Sequence, residues 1–433
     1  MKRKKTVITG RAAAARTRIV PPGPPRPQGG PVLRLPGERI RAFDLEADAA
    51  ERNAATARYA AGGHGPGTQG AGGRGSGTSA GRGTGSAGGR ATSAARERAA
   101  DPGAPGAAPA TIDLTVDLAP TRPGALVLRT PILVAAGTFG YGVEYGEVVD
   151  VERLGAICSK GTTLKPRTGN VPPRVTEAAS GMLNAIGLQN PGVDAVIARY
   201  AETWSAWEVP VIVNVAGESV DDYVAVARKL DAAQGIAGIE LNVSCPNVGK
   251  GGLQFALDAE AAASVTRAVR AVTDLPLIVK MSPAATDVRR IASALADAGA
   301  DALSAVNTLP GMAMDRERRR PFLGNTYGGL SGPALKPVAL RVVYEIAQAV
   351  EIPIVAIGGV SGLDDVLDYL MAGASAVAVG TAVFGDPVLP VRLADALAEH
   401  CRGEGIATHR DLVGAALPAR RDRPSARGVE YRP

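Results

Sequence analysis

The sequence predicts a parallel (β/α)8 barrel set behind a long disordered N-terminal extension. Three observations carry that prediction. The composition breaks near Thr111, eight short apolar runs follow with amphipathic stretches between most of them, and each run ends in Gly, Thr, Asn or Lys.

The extension comes first. Residues 1–110 hold 18 of the chain's 48 Lys and Arg but only 7 of its 42 Asp and Glu. The net charge of +6 therefore splits into +11 for the extension and −5 for the remainder. A mildly acidic body is not a nucleic-acid surface by bulk charge. Residues 61–96 are mostly Gly, Ser, Thr, Ala and Arg, with no acid and no Phe, Tyr or Trp. Such a stretch cannot bury enough apolar surface to offset its ordering entropy. Pro21-Pro-Gly-Pro-Pro25 is stiff, and 41–52 suits a short helix. The Gly/Arg-rich part would suit RNA or another polyanion. The composition favours an inert extension, or sequence upstream of the true start. Met1-Lys-Arg-Lys-Lys5 has no apolar region behind it and is not a secretory signal. No apolar run reaches membrane-spanning length. Three cysteines give no disulfide framework, which predicts a reducing, cytoplasmic setting.

The barrel follows. The apolar runs are 131–135, 156–159, 211–215, 238–241, 277–279, 302–306, 354–357 and 376–379. Helical periodicity marks 219–230, 259–272, 285–298, 337–350 and 363–372. Continuous apolar strands alternating with helices require a parallel sheet covered on both faces. Eight such units over roughly 290 residues fit a TIM-type barrel, usually about 250 residues or more. An open doubly wound sheet is the alternative, but no G-x-G-x-x-G turn follows the first run. The barrel is placed at 111–410, with 411–433 as a C-terminal tail.

A barrel gathers the C-terminal ends of its strands at one face, where its chemistry sits. Lys or Asn ends five of the eight runs, which packing does not explain. The densest stretch is Gly238-Ile-Glu-Leu-Asn-Val-Ser-Cys-Pro-Asn-Val248. It begins as a buried strand and ends as a turn, because Pro246 cannot continue a ladder. Cys245 in that polar turn reads as a nucleophile or proton acceptor; the bland reading is a small buried core residue. His64, His400 and His409 lie in no motif, so neither a His triad nor a His-ligated metal is expected.

Gly358-Gly359 and Gly380-Thr381, ending adjacent runs, suit a phosphate, with Gly328-Gly-Leu-Ser-Gly-Pro333 as a further glycine turn. Lys160 and Lys280 are either snorkelling surface lysines or cations facing an electron-rich cofactor edge. Asn184, Asn242, Asn247 and Asn307 are singly just turn formers. Around one cavity they would suit a planar ligand with alternating carbonyl and N–H groups, such as a pyrimidine. The charged, Gly-containing loop 308–329 suits a lid that excludes water.

These stretches resemble a known family. Gly137-Thr-Phe-Gly-Tyr-Gly-Val-Glu-Tyr145, Lys160-Gly-Thr-Thr-Leu-Lys-Pro-Arg-Thr-Gly-Asn170, Asn184-Ala-Ile-Gly-Leu-Gln-Asn190 and Asn242-Val-Ser-Cys-Pro-Asn247 match class 1 dihydroorotate dehydrogenases. So do Asn307-Thr-Leu-Pro-Gly-Met-Ala-Met-Asp315, Gly328-Gly-Leu-Ser-Gly-Pro333 and Ile357-Gly-Gly-Val360. The match runs from about 112 to 400 and is nearest the class 1B catalytic subunit; the extension is outside the family pattern. The resemblance implies an FMN-binding barrel that oxidises dihydroorotate to orotate in pyrimidine synthesis. It implies Cys245 as the base that takes the C5 proton while a hydride passes from C6 to flavin N5. Asn184, Asn242, Asn247, Asn307 and Thr308 are implied as orotate ligands. Lys160 and Lys280 are implied as flavin contacts, and Gly332, Gly358, Gly359, Gly380 and Thr381 as the phosphate and ribityl cradle. Gly137, Asn214 and Asn242 complete the implied cofactor set. The resemblance further implies a homodimer core and a second subunit, carrying FAD and a [2Fe–2S] cluster, that passes electrons to NAD+. A dihydropyrimidine dehydrogenase is the alternative enzyme; that family usually carries His where Asn247 stands.

Overall fold

The computed structural model describes residues 111–122, 125–243 and 257–418. The expected disorder of 1–110 lies outside the described residues, as does most of the expected C-terminal tail.

The described chain opens with an antiparallel pair, β1 (Val116–Asp117) and β2 (Val127–Leu128). β3 (Ile132–Val134) and β4 (Ile157–Cys158) follow, then a hairpin of β5 (Val175–Ala178) and β6 (Gly181–Asn184), and helix α1 (Val193–Ser205). Strands and helices then alternate as β7 (Val211–Val215), α2 (Val220–Asp231), β8 (Gly238–Leu241), α3 (Ala259–Arg270), β9 (Leu277–Met281), α4 (Val288–Asp297) and β10 (Ala302–Ala305). Four short strands come next: β11 (Leu309–Gly311), β12 (Met314–Asp315), β13 (Arg320–Pro321) and β14 (Gly328–Ser331). The order ends with α5 (Lys336–Ile346), β15 (Ile354–Ile357), α6 (Leu363–Met371), β16 (Ala376–Val379) and α7 (Leu389–Gly403).

Strands β3, β4, β7, β8, β9, β10, β15 and β16 close into a parallel barrel. The seam is the β16–β3 pair, with Val377 opposite Ile132 and Val379 opposite Val134. That seam rules out the open doubly wound sheet. Every apolar run coincides with one barrel strand in whole or in part, β9 running two residues past its run of 277–279. Helices α1 and α7 lie outside the five stretches whose periodicity predicts a helix.

The strands are apolar on both faces because both faces are buried. Leu133, Ile212, Ile278 and Val355 point into the lumen. Their neighbours Ile132, Val213, Val279 and Ile354 pack outward against the helices. Leu118, Leu126 and Leu128 join the lumen cluster, so the β1–β2 pair plugs the end where the strands begin. At that end Asp301 accepts hydrogen bonds from Leu277 N (2.8 Å), Arg270 Nη1 (3.0 Å) and Thr121 Oγ1 (3.1 Å). Ser219, Asp258 and Asp287 cap α2, α3 and α4 by accepting from the backbone N–H three residues on. The domain's two ends are clasped. Asp113 N donates to Ala407 O at 3.0 Å, and the Arg410 guanidinium pairs with the Asp113 carboxylate.

The loop 308–329 is built of paired strands. β11, β14, β6 and β5 form one antiparallel sheet, and β12 and β13 form a second pair. Gly329 permits the approach of its neighbour: a Cβ there would stand 1.9 Å from Thr308 Oγ1.

Candidate active site

The strand period of two decides what reaches the barrel's C-terminal mouth. In β8, Ile239 and Leu241 pack against helices, which turns Glu240 and then Asn242 inward. The register sets Asn214 opposite Glu240 and Ser304 opposite Lys280. Above the apolar lumen layer, Cys158, Asn214, Glu240, Lys280 and Ser304 therefore form a polar one. Such layers are usually filled by branched apolar side chains.

Glu240 is the hub of this layer. Its Oε1 accepts from Asn214 Nδ2 (2.5 Å) and Cys158 Sγ (3.2 Å), and its Oε2 accepts from Ser304 Oγ (2.7 Å). Lys280 Nζ lies 3.5 Å from Oε1, with both side chains buried. Burial pushes the Glu240 carboxyl up, but Lys280 and the Ser304, Asn214 and Cys158 hydrogen bonds outweigh it and hold the group below the usual range. Burial, then the Glu240 charge, push the Cys158 thiol well up, so it serves as a protonated donor. The chain of contacts continues upward. Asn242 Nδ2 donates to Asn214 Oδ1 at 3.5 Å, and Asn307 Nδ2 donates to Asn242 Oδ1 at 3.2 Å.

Over this layer opens a cavity of about 260 Å³. That is near the lower end of the ~300–1,000 Å³ common for small-molecule sites. It is lined by Asn184, Asn214, Asn242, Asn307 and Thr308, and by both lysines, Lys160 and Lys280. Gly137, Gly332, Gly358, Gly359, Gly380 and Thr381 line it as well. Thirteen candidate residues from all eight barrel strands and the covering sheet thus meet in one place. Cys245 and Asn247 lie outside the described residues. Lys280, read as a strand-end cation, sits within β9 and is ion-paired.

The lining fits a flavin mononucleotide. A Cβ at Gly137 would meet no atom within 4 Å, so this part of the wall is kept free of side chains. Lys160 is half-buried and makes no ion pair among the described residues; burial lowers its ammonium pKa, and Glu144 partly restores it. The turns after β15 and β16 present Gly358, Gly359 and Gly380 side by side, with Thr381 Oγ1 donating to Ser331 Oγ at 2.8 Å. Gly359 adopts φ 70°, and a Cβ there would lie 3.0 Å from Gly332 O. A bare wall, two cations and a glycine-rich end suit a flat ring carrying a phosphate tail. Among the described residues no three His, Cys, Asp or Glu side chains gather as a metal site.

Sequence reasoning missed Glu240, Ser304 and Ser331. Glu240 carried a signal: an acid two residues before Asn242 in an otherwise apolar strand must share its inward face. Ser331 lay within the glycine turn 328–333, whose glycines carried the signal, and Ser304 carried none, being a single hydroxyl in an apolar run.

Comparison with known proteins agrees with this geometry. A family model described as dihydroorotate dehydrogenase matches residues 122–401. The "Dihydroorotate dehydrogenase B (NAD(+)), catalytic subunit" of Desulforudis audaxviator is 50% identical over 291 residues, 67% of this chain and 95% of that protein. The protein of the same name from Geotalea daltonii is 48% identical over 303 residues, covering 70% and 98%. The crystal structure of DHODH in complex with ferulenol from Eimeria tenella shares the fold. It has a TM-score of 0.58 at 24% identity and covers 70% of this chain and 88% of that one. By the family match and by relatives at half identity over nearly their whole length, this chain belongs to the dihydroorotate dehydrogenase family.

Proposed function

We propose that this chain is the FMN-binding catalytic subunit of an NAD+-dependent dihydroorotate dehydrogenase, oxidising (S)-dihydroorotate to orotate for pyrimidine synthesis. The observation that supports it most is the convergence of the asparagines, the lysines and the glycine turns on one cavity at the barrel mouth.

FMN, when bound, supplies the two-electron acceptor for the hydride from C6. Lys160 and Lys280 stabilise negative charge at its ring, and Gly332, Gly358, Gly359, Gly380 and Thr381 cradle its phosphate. Asn184, Asn242, Asn247, Asn307 and Thr308 bind the pyrimidine carbonyls, N–H groups and carboxylate. Cys245 takes the proton from C5. The antiparallel sheet over the mouth, whose Val175, Met182 and Asn184 line the cavity, would shield it from water. A second subunit carrying FAD and a [2Fe–2S] cluster would take the electrons on to NAD+. We place the enzyme in the cytoplasm as a homodimer core; among the described residues no helix is long and apolar enough to cross a membrane.

The absorbance of the purified protein tests this reading. A flavin spectrum, released as FMN on denaturation, should bleach when dihydroorotate is added anaerobically. Absence of flavin, recovery of FAD from this chain alone, or an unbleached spectrum would sink it.

A further inference from the structure

Glu240 has no place in the chemistry above, yet its charge is the only acidic one within 4 Å of the Lys280 ammonium among the described residues. A carboxylate buried inside a barrel is costly unless it is paired and fully hydrogen-bonded. Here both oxygens are held: Oε1 by Asn214, Cys158 and Lys280, and Oε2 by Ser304. These four partners come from β7, β4, β9 and β10. Two of them, Asn214 and Lys280, also line the cavity, whereas Glu240 lies beneath it. The carboxylate thus reaches the cavity through a cation on one side and through the Asn214–Asn242–Asn307 chain on the other.

We propose that Glu240 is a positioning residue that sets the reduction potential of the bound flavin, by fixing the Lys280 ammonium and partly neutralising it. The proposal rests on the functional reading above. Its physical basis is Coulombic: in a water-poor lumen, a unit charge a few ångströms away acts more strongly than at the surface. With Glu240 ionised, the Lys280–Glu240 pair presents the cavity with a dipole. Without it, Lys280 presents an uncompensated cation, which favours the electron-rich reduced ring over the oxidised one. Glu240 therefore holds the potential down, which keeps the reduced flavin able to pass its electrons on. The same carboxylate orients Asn214, and through it Asn242 and Asn307.

The test is the midpoint potential of the FMN-loaded protein, read spectroscopically against reference dyes, for the parent, Glu240→Gln, Lys280→Met and the double variant. Glu240→Gln should raise the potential by at least about 30 mV, equivalent to tenfold in the two-electron equilibrium. Lys280→Met should lower it, and Glu240→Gln should raise it by less in the Lys280→Met background, where there is no ammonium for the carboxylate to fix. An unchanged or lowered potential in Glu240→Gln overturns the proposal. So does an equal rise in the Lys280→Met background. If Glu240→Gln gives no folded flavoprotein, Glu240→Asp replaces it. A carboxylate withdrawn by one methylene should raise the potential by less, and no rise overturns the proposal. A parent that carries FMN and is bleached by dihydroorotate, with Glu240 variants at the parent's potential, defeats only the role of Glu240. A parent without FMN, or one that dihydroorotate does not bleach, defeats the functional reading itself.

Discussion

The Asn307 amide donates to Asn242 Oδ1 at 3.2 Å, joining the ends of β10 and β8 across the intervening β9. Each asparagine thereby fixes the other's orientation at the cavity wall. Asn307→Ala should weaken orotate about 10–100-fold, the range expected when one partner of a buried polar pair is lost. FMN content should stay at the parent's level. Titrating the flavin absorbance with orotate measures both. Parent-like affinity would show that Asn307 does not touch the pyrimidine.

Cys245 carries the base assignment through its sequence motif. Cys245→Ala should keep FMN and orotate binding while lowering flavin reduction by dihydroorotate about 10²–10⁴-fold, the usual worth of a positioned base. Cys245→Ser should keep a small activity that rises with pH. Stopped-flow bleaching from about pH 6 to 10 reads it, using the unperturbed thiol value near 8.5 as the reference point. An alanine variant as fast as the parent would pass the role to another titratable group, with Lys160 next.

The cover sheet depends on the missing side chain at Gly329. In Gly329→Ala the new methyl would sit 2.5 Å from Thr308 Cβ, so β11 and β14 must part. The cost should be about 1–3 kcal/mol. The melting temperature should fall about 2–4 °C for each kcal/mol. Calorimetry of the FMN-loaded protein checks this, and an unshifted transition would mean that the sheet gives way freely.

At the barrel's closed end, Asp301 pairs with Arg270 at 3.0 Å, both largely buried. Burial lowers the Arg270 pKa, and the Arg122 charge adds to this, while Asp301 opposes it. Asp301→Ala strands the Arg270 cation and removes the acceptor of Leu277 N. It should cost about 3–5 kcal/mol of stability. The flavin spectrum should be unchanged, since the site lies at the other end. Urea midpoints with and without FMN separate the two effects.

Acid stability has an identifiable contributor. Burial raises the Asp365 carboxyl, but Lys336 and Ser361 more than reverse this and leave its pKa below the ordinary value. A carboxyl depressed on folding contributes fully above its unfolded value near 3.9 and loses that contribution as pH falls through the folded one. Asp365→Asn should therefore be less stable than the parent at pH 7, with the gap narrowing on acidification to pH 3. Urea midpoints at pH 7, 5 and 3 follow it, and a gap constant with pH would exclude the linkage.

The barrel was legible because its strands are buried on both faces. Runs such as 211–215 and 354–357 stand out as continuous apolar segments between helical ones, and both match the observed strands. The site was legible where polar residues end those runs, as at Asn242 and Asn307. Inside a run the one sign was the two-residue spacing of Glu240 from Asn242. Glu240 looks like a blemish in an apolar strand until the closed barrel brings β4, β7, β9 and β10 around it. The covering sheet was hidden for another reason. Its strands are short, interrupted by glycine, and paired between β6 and β14, whose partners Leu183 and Leu330 lie far apart in sequence. Local pattern carries no trace of such pairing.

The seam between β3 and β16 has a consequence for biosynthesis. The first barrel strand to leave the ribosome is the partner of the last, and the clasp of Asp113 with Arg410 joins residues 297 positions apart. At about 5–20 residues per second, on the order of 15–60 s separates their emergence. Throughout that interval the nascent chain presents β3 with an unsatisfied edge, the kind of surface that recruits stray strands. A chaperone that shields this edge during translation would raise the yield of native protein more than one acting after release.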